Sequence, residues 1–122
     1  MTRRITGVVL IAAWGVVAVF FGATMVHGGS MEPSVAPGDI VVYRRSAAVV
    51  GEGDIVYFAH PEWPQGVVHR VVEVMPDGAV RTRGDANGAI DREAVPRRRI
   101  HGVATFVVRS GKAVAGLLEA VR

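Results

Sequence analysis

The stretch from Gly66 to Gly84, GVVHRVVEVMPDGAVRTRG, carries the clearest structural signal in this 122-residue sequence. Val67–Met75 is rich in β-branched residues, Pro76-Asp77-Gly78 is typical of a turn, and Ala79–Gly84 continues the pattern. β-Branched residues favour strands, and a glycine after a type I turn suits a three-residue hairpin connection. The stretch therefore predicts two antiparallel strands joined by a tight turn.

Further strand-like segments lie on both sides of this hairpin. Each is rich in β-branched or aromatic residues and is bounded by glycine, proline or aspartate. They are Ile40–Tyr43, Ile55–Ala59 and Ile100–Val108. The prolines of His60-Pro61-Glu62-Trp63-Pro64 predict a loop. The 96 residues after Val26 can build one hydrophobic core, so residues 27–108 are expected to form a single, mainly β domain.

An apolar run, Ile5–Val26, precedes this domain and has no charged residue or histidine in 22 positions. As a helix it would extend roughly 33 Å, enough to cross a hydrocarbon core of roughly 30 Å. Arg3 and Arg4 precede the run, and basic residues tend to stay inside the cell. Residues 1–26 are therefore predicted to be a cytoplasmic stub and a single transmembrane helix in the cell membrane, with the β domain outside the cytoplasm.

A cleaved signal peptide is the alternative interpretation of the apolar run. The run exceeds the usual apolar region of about 7–15 residues, and Val26-His27-Gly28 is a poor cleavage site, so the anchor is preferred. At the other end, residues 109–122 have apolar side chains at helical spacing. This tail is too short to span a membrane and is predicted to pack on the domain or lie on the bilayer.

Composition limits the available chemistry. The chain has no cysteine, which excludes disulfides and thiolate catalysis, and no histidine–cysteine cluster suggests a metal or other cofactor. The formal charge of +3 comes from arginines that either contact anionic lipid or form a solvated basic face. Nucleic acid is not an expected partner of an extracytoplasmic domain.

Ser30 lies four residues beyond the apolar run, close to the predicted bilayer surface. A serine hydroxyl needs a neighbouring base to become a nucleophile. Thirteen of the fourteen basic residues are arginines, which stay protonated, and the one lysine, Lys112, lies in the tail. Histidine is therefore the favoured base. His69 is the best candidate because it lies in the middle of a predicted strand, although a solvent-facing strand position would also accommodate it.

The hairpin register bears on what orients His69. With a three-residue turn, counting back from Met75 opposite Ala79 places His69 opposite Asp85, on the same face. With a two-residue turn, Asp85 lies opposite Arg70 and forms an ordinary ion pair. The first register is preferred.

Together these motifs resemble signal peptidase I. They are Ser30-Met31-Glu32-Pro33, Pro37-Gly38-Asp39, Val68-His69-Arg70-Val71, and Arg83-Gly84-Asp85-Ala86-Asn87 followed by Asp91. They are most similar to the endoplasmic-reticulum and archaeal branch, shared by some bacteria, in which histidine stands where the common bacterial enzymes carry lysine. The resemblance extends from the anchor to about Phe106 and implies the β-rich signal-peptidase fold.

By this resemblance, Ser30 is the nucleophile, His69 the general base, Asp91 the histidine partner and Asp85 a supporting carboxylate. The hairpin count instead favours Asp85 as the partner, and either aspartate could simply cap backbone N–H groups beside glycine. At Gly28 the family usually has a serine whose hydroxyl resembles an oxyanion donor, so this donor is missing here.

The resemblance implies a membrane-anchored serine endopeptidase that cleaves signal peptides from exported precursors through an acyl-enzyme, without a cofactor. Expected partners are signal peptides, which bind as an added strand, and the lipid bilayer, with the secretion translocon as a further candidate. Two alternatives stay open: an autoprotease of the SOS-repressor type, and a catalytically impaired β domain that acts as a scaffold.

Overall fold

The computed structural model describes residues 2–109, and it describes side chains for residue 10 and residues 12–109. A helix, α1 (Thr2–Phe20), is followed by six strands. The strands are β1 (Phe21–Met25), β2 (Ile40–Arg44), β3 (Ile55–His60), β4 (Trp63–Val74), β5 (Val80–Arg83) and β6 (Ile100–Val108). All neighbouring pairs are antiparallel in one sheet of order β1-β2-β6-β3-β4-β5. The prediction of a mainly β domain is confirmed.

The apolar run differs from the predicted single helix over Ile5–Val26. Helix α1 ends at Phe20, and residues 21–25 form β1 on the edge of β2. Short apolar segments suit either a helix or a strand, and here the free edge of β2 decides the outcome. Among the residues that the structure describes, none of the helices has both the length and the apolar character needed to span a membrane. The sheet begins at Phe21, before the predicted domain start at residue 27.

The end of α1 is tied to the sheet by Arg45, which directly follows β2. Its backbone N–H donates to the Phe20 carbonyl at 2.8 Å, and its side-chain Nε donates to the Ala18 carbonyl at 3.1 Å. The last carbonyls of a helix lack hydrogen-bond donors within the helix, and Arg45 supplies a donor to two of them. The helix therefore ends where the first strand begins, without a linker.

The β3–β4 hairpin is tighter than the predicted loop over residues 60–64. His60 pairs with Trp63, which leaves only Pro61 and Glu62 at the tip. Between this pair and the next, Phe58 with Val67, the ladder is irregular, so three residues of β4 face one of β3. Pro64 lies in that irregular part, where its missing N–H breaks no regular pairing. The prolines therefore limit the ladder without preventing the strand.

The β4–β5 hairpin has the predicted three-residue turn but not the predicted register. Gly78 has a φ of 89°, as the left-handed position of this turn requires, and the Met75 N–H donates to Ala79 O at 2.8 Å. A β-bulge then makes Val72 an extra residue, so Arg70 pairs with Arg83. The count that placed His69 opposite Asp85 is wrong because it assumed a ladder without a bulge.

Two apolar clusters form the core. The larger joins residues of β3 to β6, Val95 before β6 and Val50 before β3, and the smaller joins Val26, Met31, Val35 and Val41. Val26 is buried before Ser30, and Met31 and Val35 are fully buried after it, so packing anchors the segment that carries Ser30 on both sides. The predicted tail, apart from Arg109, lies outside the described residues.

Candidate active site

Ser30 lies between β1 and β2, in a segment held by short-range and long-range hydrogen bonds. The Val35 N–H donates to Met31 O at 3.0 Å, and the Ala86 N–H donates to Ser30 O at 2.8 Å. The first bond closes a turn after Ser30, and the second fixes its backbone to the loop that follows β5. Ser30 is thus positioned by the turn that follows it and by a loop distant in sequence.

His69 lies on β4 with its side chain directed into the protein. The residue is 9% exposed and shares the buried face with Val71, while the ring of Phe58 contacts it edge-on at 6.3 Å between centroids. Strand alternation puts residues 69 and 71 on one face, so the regular pleat of β4 determines the direction of the imidazole.

Both nitrogens of the His69 ring have partners. The Ser30 hydroxyl donates to Nε2 at 3.1 Å, and Nδ1 donates to Asp91 Oδ2 at 2.5 Å. This tautomer follows from the carboxylate, which can only accept a hydrogen bond from the ring. The structure therefore brings Ser30, His69 and Asp91 into one chain of hydrogen bonds, with the accepting nitrogen of the ring facing the serine.

Thr82 fixes Asp91 and was not recognised in the sequence. Its hydroxyl donates to the same Asp91 oxygen at 2.7 Å, and its carbonyl accepts the Asp91 N–H at 2.9 Å. Thr82 is fully buried on β5, on the same face as Val80. A threonine at an inward position of an otherwise apolar strand face is the signal that could have identified it.

Asp85 makes no contact with His69 and belongs to a separate ion pair. Arg70 binds it through two bonds of 2.9 Å, from Nε and Nη2, and the Ser34 hydroxyl donates to it at 2.6 Å. The hydrogen bonds from Arg70 hold the pKa of the Asp85 carboxyl below its usual value, and those to Asp85 raise the pKa of Arg70. The ion pair considered for the alternative register is thus present, but Arg70 lies opposite Arg83 in the ladder and reaches Asp85 in the loop through its side chain.

This ion pair links three segments around the site. Arg70 follows His69 on β4, Ser34 belongs to the turn after Ser30, and Asp85 begins the loop that ends at Asp91. Bidentate arginine–carboxylate pairs are geometrically specific. Asp85 is therefore placed to hold these segments together rather than to orient the imidazole.

In the described structure none of the other histidines forms a hydrogen bond with Ser30. The His60 ring accepts the Glu62 N–H at 3.1 Å, and the exposed His101 ring contacts Tyr57 at 4.8 Å between centroids, with the rings tilted by 41°. His27 is exposed beside Gly28. Lys112 lies outside the described residues. Within residues 2–109 no group of three or more potential metal ligands occurs.

A cleft of about 990 Å³ opens onto the site. Ser30, His69 and Asp91 line it, together with residues 24–29, the β3–β4 hairpin and part of the loop after β5. This volume is at the upper end of the usual range of about 300–1,000 Å³ for ligand pockets. The cleft can therefore admit more than a single side chain to the Ser30 hydroxyl.

Comparison with known families agrees with this arrangement. No curated protein matches the sequence significantly. The family model described as signal peptidase, peptidase S26, matches residues 2–101, which include all of α1, five of the six strands and every residue in contact with the imidazole. A match over this share of the sequence establishes membership, and the chain belongs to the signal peptidase family, peptidase S26.

Proposed function

We propose that this protein is a membrane-anchored serine endopeptidase that removes signal peptides from exported precursors, with Ser30 as nucleophile and His69 as base. The family supports a peptidase of the signal-peptidase type. The observation that carries the finer proposal is the hydrogen bonding of His69 to Ser30 on one side and Asp91 on the other. The serine–histidine pair corresponds to the endoplasmic-reticulum and archaeal branch of the family.

The proposed reaction has two steps. The Ser30 oxygen attacks the scissile carbonyl carbon while His69 Nε2 accepts the hydroxyl proton, and Asp91 stabilises the resulting imidazolium. The C–N bond then breaks, and the imidazolium gives its proton to the leaving amine. Water, deprotonated by the same nitrogen, hydrolyses the ester and restores the serine hydroxyl.

The precursor is proposed to bind as an extended strand beside β1. In the described sheet β1 is a terminal strand that pairs only with β2, so its other edge has no strand partner. Thr24 and Met25 of β1 line the cleft that contains Ser30. A free strand edge offers backbone donors and acceptors to an extended peptide, which supports this binding mode.

A cleavage assay tests the activity directly. Purified protein in detergent is mixed with a precursor that has small residues one and three positions before the cut, and products are identified by mass spectrometry. Cleavage at that single site is expected. Folded protein that releases no product would indicate a scaffold instead, and cleavage of its own chain alone would indicate an autoprotease.

Replacing the two aspartates separately should distinguish their roles. Asp91→Asn is expected to lower kcat by roughly two to four orders of magnitude with a smaller effect on KM. An amide N–H facing Nδ1 would favour the tautomer with its proton on Nε2, which cannot accept the Ser30 proton. Asp85→Asn should reduce kcat much less, because Asp85 contacts Arg70 and Ser34 rather than the imidazole.

Steady-state kinetics of both variants, with circular dichroism to verify folding, check this expectation. If a folded Asp85→Asn variant lost as much kcat as Asp91→Asn, the assignment of the orienting role to Asp91 alone would be wrong.

The anchoring is proposed from the apolar residues 5–20 of α1 and from the exposed surface of this helix, since residues 21–25 belong to the sheet as β1. Every described side chain of this helix is exposed, including Leu10, Trp14 and Phe20. An exposed apolar surface of this kind is unusual in water and suits a bilayer. Arg3 and Arg4 favour a cytoplasmic N-terminus.

The chain has no cysteine, so a single introduced thiol can report the side of the membrane. In intact cells a membrane-impermeant reagent should label Ser46→Cys, which is exposed after β2, whereas Thr2→Cys should react only after lysis. Labelling of Ser46→Cys only after lysis would contradict the proposed orientation.

A further inference from the structure

Attack of a serine on a peptide carbonyl places negative charge on the carbonyl oxygen, and hydrogen-bond donors must meet that charge. The Ser30 N–H is one candidate, since it makes no hydrogen bond to residues 2–109. Position 28 offers no side-chain donor, because it is a glycine. A side-chain donor beside Ser30 therefore has to come from a residue other than residue 28.

Asn87 lies across Gly84 from the nucleophile. A Cβ atom built on Gly84 would lie 3.0 Å from Ser30 Cβ and 2.8 Å from Asn87 Nδ2. The same Cβ would lie 2.5 Å from the backbone oxygen of Ser30, which is too close for any side chain, so only glycine lets the loop approach Ser30 this closely. The side-chain amide of Asn87 is therefore a near neighbour of the Ser30 side chain.

The backbone holds this approach in place. The Asn87 N–H donates to Gly84 O at 2.9 Å, which closes a turn, and the Ala86 N–H donates to Ser30 O at 2.8 Å. The turn is thus attached to the residue that carries the nucleophile. The position of Asn87 relative to Ser30 depends on two short backbone contacts rather than on a flexible connection.

The Asn87 amide is also available. Within the described part of the chain its side chain makes no hydrogen bond, and it lines the same cleft as Ser30 and His69. Thr82 lines this cleft too, but its hydroxyl donates to Asp91. An amide has two N–H donors and no charge, so it can donate a hydrogen bond to an oxyanion without adding a charge beside His69.

We infer that the Asn87 Nδ2 amide, together with the Ser30 N–H, binds the carbonyl oxygen of the scissile peptide and stabilises its negative charge. Asn87 thereby performs the task of the hydroxyl absent at position 28. The inference rests on the proposed function, because an oxyanion forms only if Ser30 attacks a carbonyl.

Kinetics of two substitutions at this position test the inference. Asn87→Ala is expected to lower kcat by about 10²–10³-fold with little change in KM, because the donor acts on charge that develops in the transition state. Asn87→Asp keeps the shape but places a carboxylate beside the oxyanion, so it should be slower than Asn87→Ala. If Asn87 only supported the loop by its shape, the aspartate variant would be the faster of the two.

A rescue variant supplies the second measurement. A Cβ at Gly28 meets no heavy atom within 4 Å, so Gly28→Ser can be accommodated. Adding it to Asn87→Ala is expected to recover at least tenfold of the lost kcat by returning a hydroxyl donor.

An unchanged rate in Asn87→Ala, or an Asn87→Asp variant faster than Asn87→Ala, overturns this inference and leaves the proposed function intact. The wild-type rate is measured first in the same precursor assay. Absence of any Ser30-dependent cleavage there would overturn the proposed function and, with it, this inference.

Discussion

Ser30→Ala is expected to abolish precursor cleavage, lowering kcat by roughly 10⁶-fold while the domain stays folded and membrane insertion is unchanged. The substitution removes the Ser30 hydroxyl, whose oxygen is the one that forms a hydrogen bond with His69 Nε2 in the described structure. Without a nucleophile no acyl-enzyme forms, and the remaining groups can only position a water molecule. Product formation from a precursor, followed over hours, measures the effect.

Ser46→Ala is the matched control. Ser46 is exposed after β2, and its hydroxyl only accepts the Ala48 N–H at 3.3 Å, so cleavage should continue at the wild-type rate. Ser34 would be a poor control, because its hydroxyl donates to Asp85 beside the site. If Ser30→Ala still cleaves at a rate close to that of the wild type, the nucleophile is a different residue.

His69→Ala should reduce kcat to a similar extent, and His69→Lys should restore little of it. An imidazole carries its accepting nitrogen on a short rigid ring, whereas lysine has a long flexible stem and must be neutral to accept a proton. The carboxylate of Asp91, at 2.5 Å from the present ring, would instead stabilise a charged ammonium. Cleavage rates of both variants over a range of pH test this expectation.

Lys112→Ala is the control for the base, since Lys112 is the one lysine of the chain and lies outside the described residues. Cleavage should be unaffected. A folded Lys112→Ala variant that is as inactive as His69→Ala would support a serine–lysine mechanism instead.

Sequence patterns predicted most of the sheet because strand-forming residues and turn residues influence the backbone locally. β-Branched residues between turn signals located β2, β3, β5 and β6 within one or two residues. Strand β1 was missed because its five residues have the same apolar character as the helix before them, and only pairing with β2 distinguishes the two. The bulge at Val72 was missed because register depends on backbone pairing rather than on side-chain type.

In the site, too, local sequence patterns identified some residues, whereas others depend on contacts between segments far apart in sequence. Serine chemistry and the scarcity of lysine pointed to Ser30 and His69, and the resemblance added Asp91, which lies against the imidazole. Thr82 and the Arg70–Asp85 pair depend on contacts between segments far apart in sequence. An inward threonine and an alternative register can suggest these residues, but their partners and geometry became visible only in the folded chain.

The loop from Gly84 to Asp91 has a consequence for how this protein can change in evolution. One end of the loop touches Ser30 and the other orients His69, so the number of residues between them sets the alignment of nucleophile and base. Surface loops usually tolerate insertions at small entropic cost. Here one added residue would displace both partners at once, and the length of this segment is constrained as strictly as the identity of the residues it carries.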